Sequence, residues 1–396
     1  LWWGQLISIL GERLTYLALV GLLAEHTGHF RDSRSSLLLT VLANVMLAPV
    51  LILSPFTGAW VDRVNLKRVL VVSDFLRCLI VLAIPLAYRV THHTGAVFVA
   101  VFLLFTCNVF FLPAKSAMTP EIVPPLQLLP ANSLLMGAGV AATAVGALLG
   151  GWIIDHWGWA AALYLNGATY LVSVIALLMI RYRARAPRLD RPRVTLSGYL
   201  HEILEGWRVV RSHRQVGIAL LALAAVWVGG GFLHVAGNLQ VQRVARTPGM
   251  ERVGVLLAVL GAGSALAIGW LSTRGRTLPR VPLLGAGLVL AGVGVFVFAI
   301  STRFAFLALA AFVTGIAAAP AFTLTETLLQ ESTEVRQRGR VFSARDFLMR
   351  LVFLLGVTFA GAATRALGTR TTLTIGAALI AATGMVVIER GARRPA

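Results

Sequence analysis

Long apolar runs, each about 20 residues and separated by short polar turns, set the pattern of this chain. At 1.5 Å per residue, a helix of that length crosses about 30 Å of hydrocarbon. Twelve such runs are legible, at approximately 3–24, 36–60, 69–88, 95–114, 133–154, 160–180, 216–238, 253–272, 281–300, 305–327, 344–366 and 371–389. Backbone polar groups at that depth have no water to bond to, so each run is predicted to be a helix. The apolar run at Leu1 is expected to be a first span rather than a cleavable signal peptide.

Six spans lie on either side of the longest break, about 181–215. This predicts an N-terminal six-helix bundle over 1–180, a linker over 181–215 and a C-terminal six-helix bundle over 216–396. Within the linker, Tyr199, Leu200, Ile203, Leu204, Trp207 and Val210 recur at helical spacing among Arg208, Arg211 and His213, the pattern of an amphipathic helix on a membrane surface. The halves also repeat. An offset of about 211 carries Gly58…Asp62-Arg63 onto Gly269…Thr273-Arg274, and the span starting at Ser133 onto the one starting at Ala344. Internal symmetry of this kind marks two-bundle secondary transporters, whose solute site lies at mid-depth.

Composition agrees with lipid as the solvent: 58% of residues are hydrophobic, 13% are charged, and mean hydropathy is +0.81. The net charge of +19 does not imply nucleic acid, because the basic residues sit in short clusters between apolar runs. With both termini inside, 23 of the 35 Lys and Arg residues fall on cytoplasmic segments, 9 outside and 3 (Arg13, Arg77 and Arg350) within spans. The two cysteines, Cys78 and Cys107, lie in apolar runs without metal or redox spacing and are expected to pack. His26, His29, His92, His93 and His156 are expected in outer loops, as solvated side chains rather than metal ligands.

The turn between spans two and three reads Gly58-Ala59-Trp60-Val61-Asp62-Arg63-Val64-Asn65-Leu66-Lys67-Arg68. It resembles the signature loop of the major facilitator superfamily. The resemblance implies a latch that holds the outward-facing state from the cytoplasmic side, with Gly58, Asp62, Arg63, Lys67 and Arg68 as gating residues. Asn65 and Leu66 replace a second glycine and an arginine of that pattern; Asn65 is expected to tolerate a left-handed turn in place of the glycine.

Further stretches resemble the efflux-type branch of that superfamily, which includes macrolide and siderophore exporters and the lysophospholipid transporter. They are Leu10-Gly11-Glu12-Arg13, Ser73-Asp74-Phe75-Leu76-Arg77, Leu112-Pro113-Ala114-Lys115 through Leu129-Pro130-Ala131-Asn132-Ser133, and Leu328-Leu329-Gln330 followed by Arg338-Gly339-Arg340-Val341. Gly146-Ala147-Leu148-Leu149-Gly150-Gly151 is similar to the antiporter motif of drug exporters, but has Ala147 where that motif has proline. Small-residue helix packing is the expected role of this stretch.

Ionisable side chains inside spans are costly and therefore mark function. Glu12 lies near mid-depth in span one, where a partly desolvated carboxyl is placed to exchange a proton or meet the solute; Arg13 points about 100° away around the helix. Asp74 and Arg77, spaced i and i+3, are expected to pair on one face of span three. At the start of span eleven, Arg345, Asp346 and Arg350 allow an Asp346–Arg350 pair, assigned to gating. Asn108, Asn166, Asn238 and Glu326 are candidates for the cavity wall, and His234 is expected near the outer end of span seven.

These features predict an all-α, twelve-helix, two-bundle transporter of a bacterial-type inner membrane. Its expected partners are an amphipathic small solute, protons as coupling ion and the bilayer, in a monomer with no cofactor, metal or nucleic acid. Proton-coupled export is the leading reading, with lysophospholipid movement as the alternative and a transport-dead sensor or scaffold as a rival of another class. Phosphate-loop, nucleophile-elbow and zinc-helix motifs are absent from the sequence, which argues against an enzyme.

Overall fold

The computed structural model describes residues 2–28, 34–61, 63–123, 128–180, 182, 214–245, 249–274, 278–332 and 338–392. They form helices α1 (Trp2–His26), α2 (Ser35–Val61), α3 (Leu66–Thr91), α4 (Thr94–Ile122), α5 (Leu128–Met179), α6 (Arg214–Phe232), a π-helical turn (Leu233–Gly237), α7 (Asn238–Ala245), α8 (Met250–Arg274), α9 (Arg280–Ile300), α10 (Phe304–Ser332), α11 (Arg338–Leu367) and α12 (Thr369–Ala392). Eleven helical stretches among the described residues are long and apolar enough to cross a membrane.

One of those stretches, Ala142–Met179, has 38 residues. As a straight helix it would reach roughly 57 Å, nearly twice a bilayer's hydrocarbon thickness. It is not straight: Gly158 has φ 82° and ψ 163°, a conformation closed to side chains with a Cβ. The glycine breaks α5 into two arms, which together account for the twelfth span. The amphipathic segment expected at 199–210 lies outside the described residues, as does most of the linker.

Helix α3 buries its charged pair and turns many large apolar residues outward. On α3, Asp74, Arg77, Cys78, Val81 and Ile84 are buried, whereas Val72, Phe75, Leu79, Leu86 and Val90 are exposed. This is the reverse of a water-soluble amphipathic helix, and it fits a surface facing lipid.

The described residues divide into two compact units. Unit 1 gathers α1, α2 from Val41, α3, α4, α5 and the first residues of α8, to Gly254. Unit 2 gathers the start of α2, to Thr40, and the remaining helices, with α8 from Val255.

Glycines allow the close approaches inside each unit. In unit 1, a Cβ on Gly146 would stand 2.9 Å from the Leu10 carbonyl oxygen, and one on Gly150 would stand 3.1 Å from Leu14 and Leu17 side chains. The glycine-rich stretch of α5 is thus the seat of α1. In unit 2, a Cβ on Gly292 of α9 would meet the Ala377 carbonyl oxygen at 2.8 Å and the Ala381 nitrogen at 2.9 Å on α12. Lipid competes with side chains for apolar surface as well as another helix does, so such seams rely on packing that only small residues permit.

Gly292→Ala is therefore expected to destabilise the protein by about 1–3 kcal/mol through overpacking. Gly261→Ala, where a Cβ meets nothing within 4 Å, should be neutral or gain up to about 1 kcal/mol from higher helix propensity. Unfolding of both variants in detergent, followed by circular dichroism, checks the contrast.

Candidate functional site

Four helices of unit 1 converge on one guanidinium. The inward face of α3 carries Asp74 and Arg77 one turn apart, α1 brings Glu12, α4 brings Asn108 and Phe111, and α5 brings Tyr170 and Ser173. Arg77 is 1% exposed and pairs with Asp74, which is 0% exposed. The other oxygen of Asp74 accepts a 2.6 Å hydrogen bond from the Ser173 hydroxyl. Arg77 also donates through Nη1 to Glu12 Oε1 at 3.0 Å and to Asn108 Oδ1 at 3.4 Å.

The faces of the guanidinium are covered as well. Its central carbon lies 4.1 Å from the ring centroid of Phe111 and 4.7 Å from that of Tyr170, within range of cation–π attraction. Among the described residues, nothing accepts a hydrogen bond from the buried Nε. The charge is thus held by carboxylates, an amide and two rings, with the Nε–H left over.

The two carboxylates differ in access. Asp74 is sealed within the bundle, whereas Glu12 is 38% exposed and lines a cavity of about 50 Å³. Tyr16, Met46, Leu104, Phe105 and Tyr170 give that cavity apolar and aromatic walls, and Thr15, Arg77 and Asn108 add polar groups beside Glu12. Glu12 can therefore exchange its partner with water or solute, while Asp74 cannot without opening the bundle.

The remaining expected residues are distributed more widely. Arg13 is exposed on another side of α1, its Cβ beside Gly146, and does not join the cluster. Asn166 is fully buried at the α1–α5 seam: its Nδ2 donates to Thr15 Oγ1 at 2.5 Å, and its Oδ1 accepts from Thr169 at 2.9 Å. Its amide is spent on holding helices together. Cys78 is buried, its thiol 3.2 Å from the Gly167 carbonyl oxygen.

In unit 2, Glu326 of α10 pairs with Arg345 of α11, which also reaches Asp346 at 2.8 Å and stacks on Phe342. The expected Asp346–Arg350 pair gives way to this arrangement, because Arg345 is already anchored by Glu326 and its fork reaches the Asp346 carboxylate next to it. Asn238 donates to the His234 carbonyl oxygen at 2.6 Å, and its own Oδ1 is buried without a partner among the described residues. The helix continues for eleven residues beyond His234, to the end of α7 at Ala245. The polar run Asn238–Gln242 suggests a span end in sequence, but Leu239 and Val241 stay buried and carry the helix on.

Within the loop of the family resemblance, Gly58 lies in α2 and Asp62 lies outside the described residues. Asn65 is extended, with φ −71° and ψ 110°, not left-handed. Its side chain instead caps α3, accepting from the Arg68 N–H at 3.1 Å, which removes the need for a glycine. Arg63 N–H bonds to the Trp60 carbonyl oxygen at 3.0 Å and turns the chain. Lys67 Nζ donates to the carbonyl oxygens of Leu178 and Ile180, both at 2.8 Å, and so binds the C-terminal end of α5, where unpaired carbonyls attract a cation.

Sequence reasoning missed Tyr170 and Ser173. Asn166, Thr169, Tyr170 and Ser173 follow helical spacing on one face of α5, and that polar stripe within an apolar span was the available signal.

Comparison with known proteins matches this sequence and fold to one family. The sequence pattern of the Major Facilitator Superfamily matches residues 1–281, more than half of the chain. Macrolide efflux protein A of Streptococcus pyogenes is 24% identical over 90% of this chain and 86% of its own length. The lysophospholipid transporter LplT of Yersinia enterocolitica is 27% identical over 63% of this chain and 61% of its length. An uncharacterised transporter of the same type from Bacillus subtilis is 24% identical over 99% of this chain and 92% of its length. Among solved structures, a bacterial homologue of the human lysosomal transporter Spinster superposes with a TM-score of 0.74 at 13% identity, covering 100% of this chain and 98% of that one. The chain belongs to the major facilitator superfamily.

Proposed function

We propose that this chain is a secondary transporter that works by alternating access and exports amphipathic or hydrophobic small organic molecules in exchange for protons. It works in a bacterial inner membrane as two six-helix bundles, 1–180 and 216–396, joined by a linker, with both termini in the cytoplasm. The observation that carries this reading is the unequal access of the two carboxylates on Arg77. Asp74 neutralises the buried guanidinium permanently, leaving Glu12 as a surplus carboxyl open to the cavity. When Glu12 takes a proton it releases Arg77 Nη1, and when it loses the proton it recaptures it. A single proton thereby changes both the charge and the hydrogen-bond donors that a solute meets.

The apolar, aromatic wall suits an apolar part of a cargo and the Glu12–Arg77–Asn108 corner a single polar or charged end, and the cavity of about 50 Å³ must widen during transport to enclose them. Likeness to a macrolide efflux protein over most of the chain supports an exporter of this kind. The second reading is movement of a lysophospholipid, favoured by likeness to a transporter of that name; the same cavity would hold the headgroup. In either case Arg63, Lys67, Arg68, Arg345, Asp346 and Arg350 act in gating, away from the solute.

Purified protein in liposomes, with an imposed proton gradient, separates these readings. Gradient-driven movement of a lipophilic cationic dye is expected, and Glu12→Gln should reduce it at least about tenfold, the effect of roughly 1.4 kcal/mol on the coupled step. Movement of labelled lysophospholipid without dye movement selects the lipid reading. Flux that ignores both the gradient and the mutation removes Glu12 from the mechanism.

Asp74 is expected to behave differently from Glu12. Asp74→Ala strips a fully buried charge of its main partner and should cost about 3–5 kcal/mol of stability, seen as loss of folded protein in detergent. Pairing it with Arg77→Met should restore most of the folded yield while transport stays abolished.

A further inference from the structure

Two helices change compact unit along their own length. α2 starts in unit 2, to Thr40, and continues in unit 1; α8 starts in unit 1, to Gly254, and continues in unit 2. The repeat offset of about 211 carries Ser35, the start of α2, to position 246, close to the start of α8 at Met250. The two exchanged starts are thus equivalents under the internal repeat.

Both are seated on glycines. In unit 1, Gly151 of α5 lies against the Met250 backbone, and Gly254 lies against the Ala147 carbonyl oxygen. In unit 2, Gly361 of α11 lies against Thr40. Position 151 plus 211 is 362, so the seams correspond. The Gly151–Met250 and Gly254–Ala147 contacts are backbone to backbone, so few interlocking side chains in that seam resist separation, whereas Gly361 packs against the Thr40 side chain.

One seam carries an added lock. Asp155, one turn beyond Gly151 on α5, accepts the Met250 N–H on Oδ1 at 2.8 Å and the Glu251 N–H on Oδ2 at 2.9 Å. These are first-turn amides of α8, which have no acceptor within their own helix, and a carboxylate there also meets the positive end of the helix dipole. Asp155 is exposed, so water can replace it when the bonds break. The equivalent position of the other seam, 155 plus 211, is Ala366, which offers no acceptor.

We propose that Asp155 is a positioning residue that latches the first turn of α8 onto α5, and that its two hydrogen bonds break and re-form each time the outer end of the protein opens and closes. The proposal rests on the alternating-access reading above.

The test uses the full chain with Cys78→Ser, Cys107→Ser and a reporter, Met46→Cys, in the Glu12 cavity. A membrane-impermeant maleimide is applied to intact cells and to inside-out vesicles. Asp155→Ala is expected to raise the labelling rate in intact cells about fivefold, the ratio equivalent to ~1 kcal/mol for loss of a helix cap. Asp155→Asn, which turns an N–H donor towards an N–H donor, should raise it in the same direction. Unchanged rates on both faces, in variants recovered from the membrane at the unmutated level, overturn the latch. If Asp155→Ala is not recovered, an unchanged rate in Asp155→Asn overturns it alone. Labelling needs no flux, and transport is measured separately in chains that keep Met46: an unchanged rate with normal transport defeats the latch alone, and a raised rate with no transport of any probe by the unmutated chain defeats the transporter reading alone.

Discussion

A guanidinium inside a bundle walled by hydrocarbon costs several kcal/mol unless its charge and its donors are met by protein. Arg77 meets that condition through helices from distant parts of unit 1: Asp74 on its own helix, Glu12 on α1, Asn108 and Phe111 on α4, and Tyr170 on α5. Each of those helices must present a particular residue at a particular depth. The ion cluster therefore specifies register along the helix axes, which apolar packing against lipid leaves loose. Specificity of this kind is the use to which a buried polar network is best put.

The same cluster sets two carboxylates apart. Ser173 ties down the outer oxygen of Asp74, so the strongest pair is static, and the mobile choice is left to Glu12 at the cavity. A sealed ion pair and a cavity-facing one thus share a single guanidinium. This economy explains why Glu12 and Asp74, both acidic and both within spans, are expected to respond so differently to substitution.

Around this centre the helices pack on small residues. The glycine stretch of α5 receives α1 near Leu10 and Leu14 and, farther along, the first turn of α8, so one helix serves a fixed seam and a releasable one. What separates the two is chemistry at their edges. The α1 seam is sewn by the buried Asn166–Thr15 bond, whereas the α8 seam is held by the exposed carboxylate of Asp155. Buried bonds have no water to replace them; exposed ones do.

Length of the apolar runs was enough to predict membrane-spanning helices and nearly their number, because backbone polar groups in a bilayer must be satisfied internally and runs of about 20 apolar residues do so as helices. The Asp74–Arg77 pair was legible for a similar reason, since i and i+3 spacing is local geometry. Tertiary structure decided what depends on distance between helices. It brought Glu12 to Arg77 across 65 positions of chain, spent Asn166 on a helix seam instead of a cavity wall, moved Asp346 onto Arg345, and made Asn65 a cap rather than a left-handed turn. A sequence states which polar groups must find partners. Which partner each finds is settled only when helices pack, since every buried donor can be satisfied in several ways and the close approach of backbones at glycines selects among them.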